Sequence, residues 1–167
     1  MCVEGNMTRF EALYRRFAPD VFRFALYLSA DRALAEDITS ETFVRAWTSP
    51  SAIRAATVKA YLLSIARNLY RDEKRRRSRH TELFDNFWDG NDLARSTGMR
   101  DALNRTVEEL QRVPEGDRAA LLMRVVEEMT YEEIAASLGI SLAAVKARIF
   151  RARLRLAELK EVLQWKA

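Results

Sequence analysis

Apolar residues in this chain recur every three or four positions and hardly ever alternate, the spacing of helices that bury one face. Thr8-Arg9-Phe10-Glu11 has the form of a capping box, with a hydroxyl for an orphan backbone N–H and a glutamate to reach back. It predicts a helix running to about Leu28. Pro19 falls inside that helix and should kink or divide it, because proline lacks the N–H and crowds the preceding turn. Asp31 caps a second predicted helix, about Arg32 to Trp47, with Leu34, Ile38 and Trp47 buried and Ala35, Thr42 and Phe43 filling the stripe. Ser49-Pro50-Ser51 ends it. Thr57 caps a third through "VKAYLLSIARNLYRDEKRRRSR", where Leu62, Ile65, Ala66 and Leu69 form the buried stripe and Lys74 to Arg77 are consecutively basic.

Periodicity is lost over residues 81–98, "TELFDNFWDGNDLARSTG", which collect Gly, Asn, Asp and Ser and read as a linker. Its Phe84, Phe87 and Trp88 are many aromatics for a passive spacer and give it the means to dock, on a partner or on the protein's own helices. Beyond it the pattern predicts a helix from about Met99 to Arg112, and Pro114 is placed to open another from Glu115 to about Glu128. Thr130-Tyr131-Glu132-Glu133 is a second capping box, ahead of the short helix "YEEIAASL". Gly139 then supplies a turn needing positive φ, and Ser141 caps a last long helix. Helix, glycine turn, helix is the helix-turn-helix arrangement. The fold class predicted is all-α: two small helical domains, 8–80 and 99–163, joined by a flexible linker, 81–98.

Composition narrows the chemistry. One cysteine, Cys2, and one histidine, His80, are too few for a four-ligand zinc site or a histidine-based catalytic engine, and an internal disulfide is impossible. Gly90, Gly98 and Gly116 form no phosphate-cradling motif, and Glu36, Asp37 and Glu41 lack the Glu-x-x-His partners of a carboxylate metal site. No cofactor and no enzyme activity are expected. No apolar run approaches the ~20 residues of a membrane span. "MCVEGNMTRF" has no basic segment followed by an apolar one, so a cytoplasmic protein without membrane insertion is expected, with Met7 an alternative start. Cys2, near a terminus, reads as inert rather than as a redox sensor.

Charge is unevenly spread. Residues 1–80 hold 15 basic and 9 acidic groups, 81–98 hold 1 and 4, and 99–167 hold 12 and 11. Basic charge gathered on particular elements points to a polyanionic partner. In "SLGISLAAVKARIFRARLRL" helical spacing puts Leu142, Val145, Ile149, Ala152 and Leu156 on one side, facing the core. Lys146, Ala147, Phe150 and Arg151 fall on the other side, flanked by Arg148 and Arg155. Phe150 is thereby pushed onto a basic face, where an aromatic suits a thymine methyl or a sugar and long basic side chains suit guanine edges and phosphates.

"MTYEEIAASLGISLAAVKARIFRARLRL" resembles domain 4 of bacterial sigma factors. "ALAEDITSETFVRAW" followed by "AYLLSIARNLYRDEKRRR" resembles domain 2 of their extracytoplasmic-function (ECF, group 4) class, in the same order and spacing. The resemblance implies a subunit that binds RNA polymerase core, recognises promoter −35 and −10 elements and assists melting of the latter. It implies core contact at the β′ clamp helices through Asp37, Ser40, Glu41, Thr42 and Phe43, with Ser40 where the family commonly has glutamine, and a second contact with the β flap. It assigns the −10 element to Arg54, Lys59, Tyr61, Arg67, Asn68, Arg71 and Arg75, an inventory suited to flipped bases and a single-strand backbone. The −35 major groove goes to Lys146, Ala147, Arg148, Phe150, Arg151, Arg153 and Arg155. Ala143-Ala144 replaces the common Gly-Thr, and with Ala147 this removes hydroxyls, so shape and phosphate positioning should carry more of the recognition. An anti-sigma partner is implied as well, and the acidic, aromatic linker looks like the stretch that passes near the polymerase active-site channel. The alternative is a stand-alone helix-turn-helix regulator that binds duplex DNA without polymerase.

Overall fold

The computed structural model describes residues 2–49, 57–81 and 99–165, and among these it contains seven helices and no strand. The expected Arg54 contact, the linker from residue 82 onward and its aromatics lie outside the described residues. The N-terminal half is built from α1 (Cys2–Ser29), α2 (Arg32–Thr48) and α3 (Val58–Thr81).

Helix α1 departs from expectation at two points. It begins at Cys2, so Thr8 lies within it rather than at its start, and Pro19 does not divide it. Arg15, whose carbonyl loses a donor to the proline, is exposed, as is Pro19 itself, so water can complete the bonding there. The turn into α2 is tight. Ala30 takes a left-handed φ of 57°, Ser29 Oγ donates to the Ala25 carbonyl at 2.7 Å, and the Asp31 carboxylate accepts from the Leu34 N–H at 3.0 Å. Thr57 Oγ accepts from the Ala60 N–H at 3.1 Å and starts α3 as its sequence position predicts.

Val21, Phe24 and Leu28 of α1, Ala35, Ile38 and Phe43 of α2, and Leu62, Leu63 and Ala66 of α3 close the centre of this half. Trp47, assigned by periodicity to the buried stripe, is instead 45% exposed at its edge, where it stacks edge-on against Phe10 at 5.1 Å between centroids.

The C-terminal half contains α4 (Met99–Gln111), α5 (Glu115–Val125), α6 (Tyr131–Leu138) and α7 (Leu142–Trp165). Helix α5 stops three residues before the expected Glu128, because the chain turns back there: Glu128 adopts φ 54° and the Met129 N–H reaches the Met123 carbonyl at 3.0 Å. Arg118, buried in this half, donates to the carbonyls of Val113 at 2.7 Å and of Leu110 and Gln111 at 3.4 Å. It thereby satisfies the carboxyl-terminal end of α4.

The two halves are packed together. Helix α1 lies against α4 and α5, and α3 lies against α6, so buried residues of both halves form one continuous apolar cluster. Polar links cross the junction: Gln111 Nε2 donates to the Tyr27 carbonyl at 3.0 Å, Ser137 Oγ to the Ala60 carbonyl at 2.9 Å, and Arg118 to the Tyr70 hydroxyl at 3.1 Å.

Candidate nucleic-acid interface

The helix-turn-helix is fixed by local bonds. Thr130 Oγ1 accepts from the Glu133 N–H at 3.2 Å while the Glu133 carboxylate accepts from the Thr130 N–H at 2.7 Å, the full capping box. Gly139 ends α6 in the left-handed region at φ 64°, which a side chain would strain, and Ser141 Oγ accepts from the Ala144 N–H at 3.1 Å to start α7. Val145, Ile149 and Ala152 anchor α7 in the core. Leu142, expected beside them, is 38% exposed at the edge of the first turn.

With that face buried, Lys146, Ala147, Phe150, Arg151, Arg153 and Arg155 are turned outward, and Phe150 is 67% exposed. Two of these cations are organised by neighbours. Arg151 donates twice to the Asp117 carboxylate, at 3.0 and 2.8 Å, and these bonds hold its guanidinium pKa above the ordinary value. Lys146 lies 5.8 Å from the centre of the Tyr131 ring, on which Arg124 also stacks at 4.8 Å. Arg148 is half-buried, its guanidinium resting on Gly116, where a Cβ would stand 2.6 Å from its Nη1. Gly116, outside any motif, thus has a packing role. Arg155 pairs loosely with Glu158 at 3.9 Å.

The α3 residues assigned to the −10 element are not gathered on one open face. Asn68 and Arg75 are exposed, and Tyr61 and Arg71 are half-buried, with the Tyr61 hydroxyl 3.5 Å from the Ser49 carbonyl. Arg67 is only 8% exposed and forks onto Glu115 of α5 at 2.7 and 2.9 Å. Lys59 Nζ contacts the Glu127 carboxylate at 2.9 Å, the Glu127 carbonyl at 3.1 Å and Asp20 at 3.3 Å, and Arg23 also forks onto Glu127 at 3.0 and 2.9 Å. That bond is the main cause of a raised Arg23 pKa. In the basic run that follows, Arg76 and Arg77 both bond Glu73, and the Arg76 bond above all keeps the Glu73 carboxyl below its usual range.

On α2, Asp37, Ser40 and Glu41 are exposed, Glu41 bonding Arg45 at 3.0 Å. Thr42 and Phe43 are core residues: the Thr42 hydroxyl donates to the Ile38 carbonyl at 2.6 Å, and the Phe43 ring packs edge-on against Tyr14 at 4.8 Å. Beside the exposed trio stand Val44, 53% exposed, and Trp47, an apolar ridge on the outer side of α2. Sequence reasoning missed Val44, although a valine on the outer side of an otherwise polar helix face was a visible signal. It also missed Glu115, Asp117 and Glu127, whose acid character is plain but whose basic partners lie far along the chain.

Profiles of known families match both halves: Sigma-70 region 2 over residues 13–80 and Sigma-70, region 4 over residues 103–156. The ECF RNA polymerase sigma factor SigM of Bacillus subtilis is 30% identical over 155 residues, covering 89% of this chain and 93% of the relative. SigL of Mycobacterium tuberculosis, also an ECF RNA polymerase sigma factor, is 34% identical over 158 residues, covering 89% of each. Among solved structures, the sigma factor RpoE bound to the anti-sigma factor NepR of Bartonella quintana superposes with a TM-score of 0.76 at 26% identity, over 92% of this chain and 98% of that one. CnrH in complex with the cytosolic domain of CnrY gives 0.75 at 26%, over 95% and 92%. A region 2 match over the N-terminal half removes the alternative of a stand-alone regulator with a sensor or dimerisation domain there.

Proposed function

This chain belongs to the sigma-70 family of RNA polymerase sigma factors, in its ECF class, and from that premise we propose how its surfaces divide the work. The ridge of Asp37, Ser40, Glu41, Val44 and Trp47 docks on the β′ clamp helices of core polymerase, with Thr42 and Phe43 supporting it from beneath. The β flap receives the C-terminal domain. Lys146, Ala147, Phe150 and Arg151 enter the −35 major groove, while Arg148, Arg153 and Arg155 track its phosphates. Lys59, Tyr61, Arg67, Asn68, Arg71 and Arg75, with Arg54, hold the melted −10 strand. Bond-making belongs to the polymerase, and this chain supplies recognition in the cytoplasm. RpoE and CnrH are each seen with an anti-sigma partner, and we extend to this chain a partner of that kind.

The observation that carries the DNA-reading assignment is the division of α7, where Val145, Ile149 and Ala152 are sealed in the core and Lys146, Phe150 and Arg151 stand outside a capped turn. Core polymerase supplemented with this chain should transcribe a genomic library from start sites that share upstream −35 and −10 motifs. Uniform, promoter-blind transcription, or specific duplex binding by a chain that fails to retain core in a pull-down, would count against it.

A further inference from the structure

We propose that Arg112 is a further DNA-contacting residue: with Arg155, across a cleft beside α7, it holds a backbone phosphate that flanks the −35 element. This rests on the assignment of α7 to the −35 major groove made above. The cleft, of about 440 Å³, lies between the α4–α5 turn and α7, with Arg112, Pro114 and Asp117 on one side and Arg151, Leu154 and Arg155 on the other. Its acids are weak competitors. Asp117 is taken up by the Arg151 fork at 3.0 and 2.8 Å, and Glu158 meets Arg155 only at 3.9 Å, with both of those last side chains more than half exposed. An exposed pair at that distance contributes little and yields readily to another anion. Arg112 is exposed and pairs with no acid among the described residues, although Glu108 and Glu109 stand one turn back on α4.

The turn that carries Arg112 is fixed. Its N–H donates to the Glu109 carbonyl and the Val113 N–H to the Leu110 carbonyl, each at 3.1 Å. The Val113 side chain is buried, its carbonyl accepts from Arg118 at 2.7 Å, and Pro114 restricts the backbone that follows. Only side-chain freedom is lost when this guanidinium meets an anion. On the same cleft Leu154, 51% exposed, and Pro114 offer an apolar surface suited to the deoxyribose beside the phosphate. Arg151 links the cleft to the outward face of α7, so a strand whose bases meet Lys146, Phe150 and Arg151 runs its backbone past Arg155 and Arg112. A phosphate contact carries no sequence information but sets register, and register matters most on a reading face with alanine at 143, 144 and 147.

The test uses holoenzyme, core polymerase with the full chain, on a mapped promoter in which phosphates flanking the −35 element are replaced one at a time by uncharged methylphosphonate. With the unsubstituted chain, at least one replacement should weaken binding. Arg112→Ala should weaken binding to the unmodified promoter by about fivefold, equally for every −35 base variant, and lower the salt slope by about one. At the phosphate that Arg112 holds, the replacement should then cost nothing further, and Arg112→Lys should restore the salt slope. The side chain is exposed, so the melting temperature of the free chain should stay the same. Unchanged affinity and salt slope in Arg112→Ala, or a penalty at every flanking phosphate as large as before, would overturn the inference. So would a loss of transcription with promoter binding intact, which would give the cleft to an acidic protein. Phe150→Ala and Arg151→Ala, run alongside, keep the two readings apart. If neither weakens binding, the −35 assignment itself fails, whereas if both do and Arg112→Ala does not, only the phosphate contact fails.

Discussion

Arg67 and Glu115 meet edge to edge, Nε to Oε1 at 2.7 Å and Nη2 to Oε2 at 2.9 Å, and so tie the third helix of one half to the first turn of a helix in the other. Glu115 suits its place on local grounds, since an acid in the first turn of α5 faces the positive end of the helix dipole. The pair adds the connection between halves. Tyr70 and Arg118 add a second one three residues further along α3, where the guanidinium that closes α4 also donates to the Tyr70 hydroxyl at 3.1 Å.

A double-mutant cycle on this pair measures the connection. Arg67→Ala alone should cost up to about 3 kcal/mol, because it leaves a mostly buried carboxylate without its partner. With Glu115→Ala as the other arm, urea unfolding should give a coupling of about 1–3 kcal/mol. A coupling near zero would mean that the junction is not held by this bond in solution.

Phe43 and Trp47 should separate cleanly, although they lie four residues apart on one helix. Phe43 is 1% exposed, so Phe43→Ala should cost about 3–5 kcal/mol of stability, read as a lowered melting temperature. Trp47→Ala removes a half-exposed ring and should cost distinctly less, while weakening retention of core polymerase in a pull-down. If Trp47→Ala leaves core binding intact, the ridge is not the docking surface.

Local chemistry made much of this legible. Asp31, Thr57, Thr130, Gly139 and Ser141 each act on groups within a few residues, and each stands where its sequence context puts it. Pro19 does not divide α1, since the cost of a proline depends on whether water reaches the Arg15 carbonyl, which only packing decides. Trp47 and Leu142 differ from expectation for another reason: periodicity gives the direction of a face but not where its rim lies. The pairing of Lys59 and Arg67 was beyond reach, since their partners stand 68 and 48 residues away and nothing local distinguishes Glu127 or Glu115 from a solvated acid.

Tyr70 gives the junction an alkaline signature. Burial raises its pKa above the ordinary value of 10.0, with the Arg118 charge pulling the other way. A group whose folded pKa is raised contributes its full stability below the unfolded value. The contribution is lost as pH rises beyond about 10, because tyrosine in the unfolded chain ionises first. Melting temperatures between about pH 8 and 11 should therefore fall more steeply for the unsubstituted chain than for Tyr70→Phe, which at pH 8 pays only for the lost hydrogen bond, about 1 kcal/mol. Parallel pH profiles would show that Tyr70 titrates like a solvated tyrosine.

The outer face of α7 should be energetically silent in the free protein and decisive on DNA. Phe150→Ala should change stability by no more than about 0.5 kcal/mol, since the ring is 67% exposed. On a mapped promoter it should weaken −35 binding by about 1–3 kcal/mol if the ring meets a thymine methyl. Arg151 is held by Asp117, so Asp117→Asn should loosen its aim without removing its charge: discrimination at one −35 position relaxes, while the salt dependence of binding stays the same. Arg151→Ala should relax the same position and, if the guanidinium also touches a phosphate, reduce the salt slope by about one. Apart from Lys146, the remaining positions of the face carry Ala143, Ala144 and Ala147, with no hydroxyl to bond a base edge. Single-base changes at −35 positions not faced by Lys146, Phe150 or Arg151 should therefore cost less than the ~1–3 kcal/mol of a directly read base. Strong discrimination at every −35 base would show that the alanine positions do not limit direct reading.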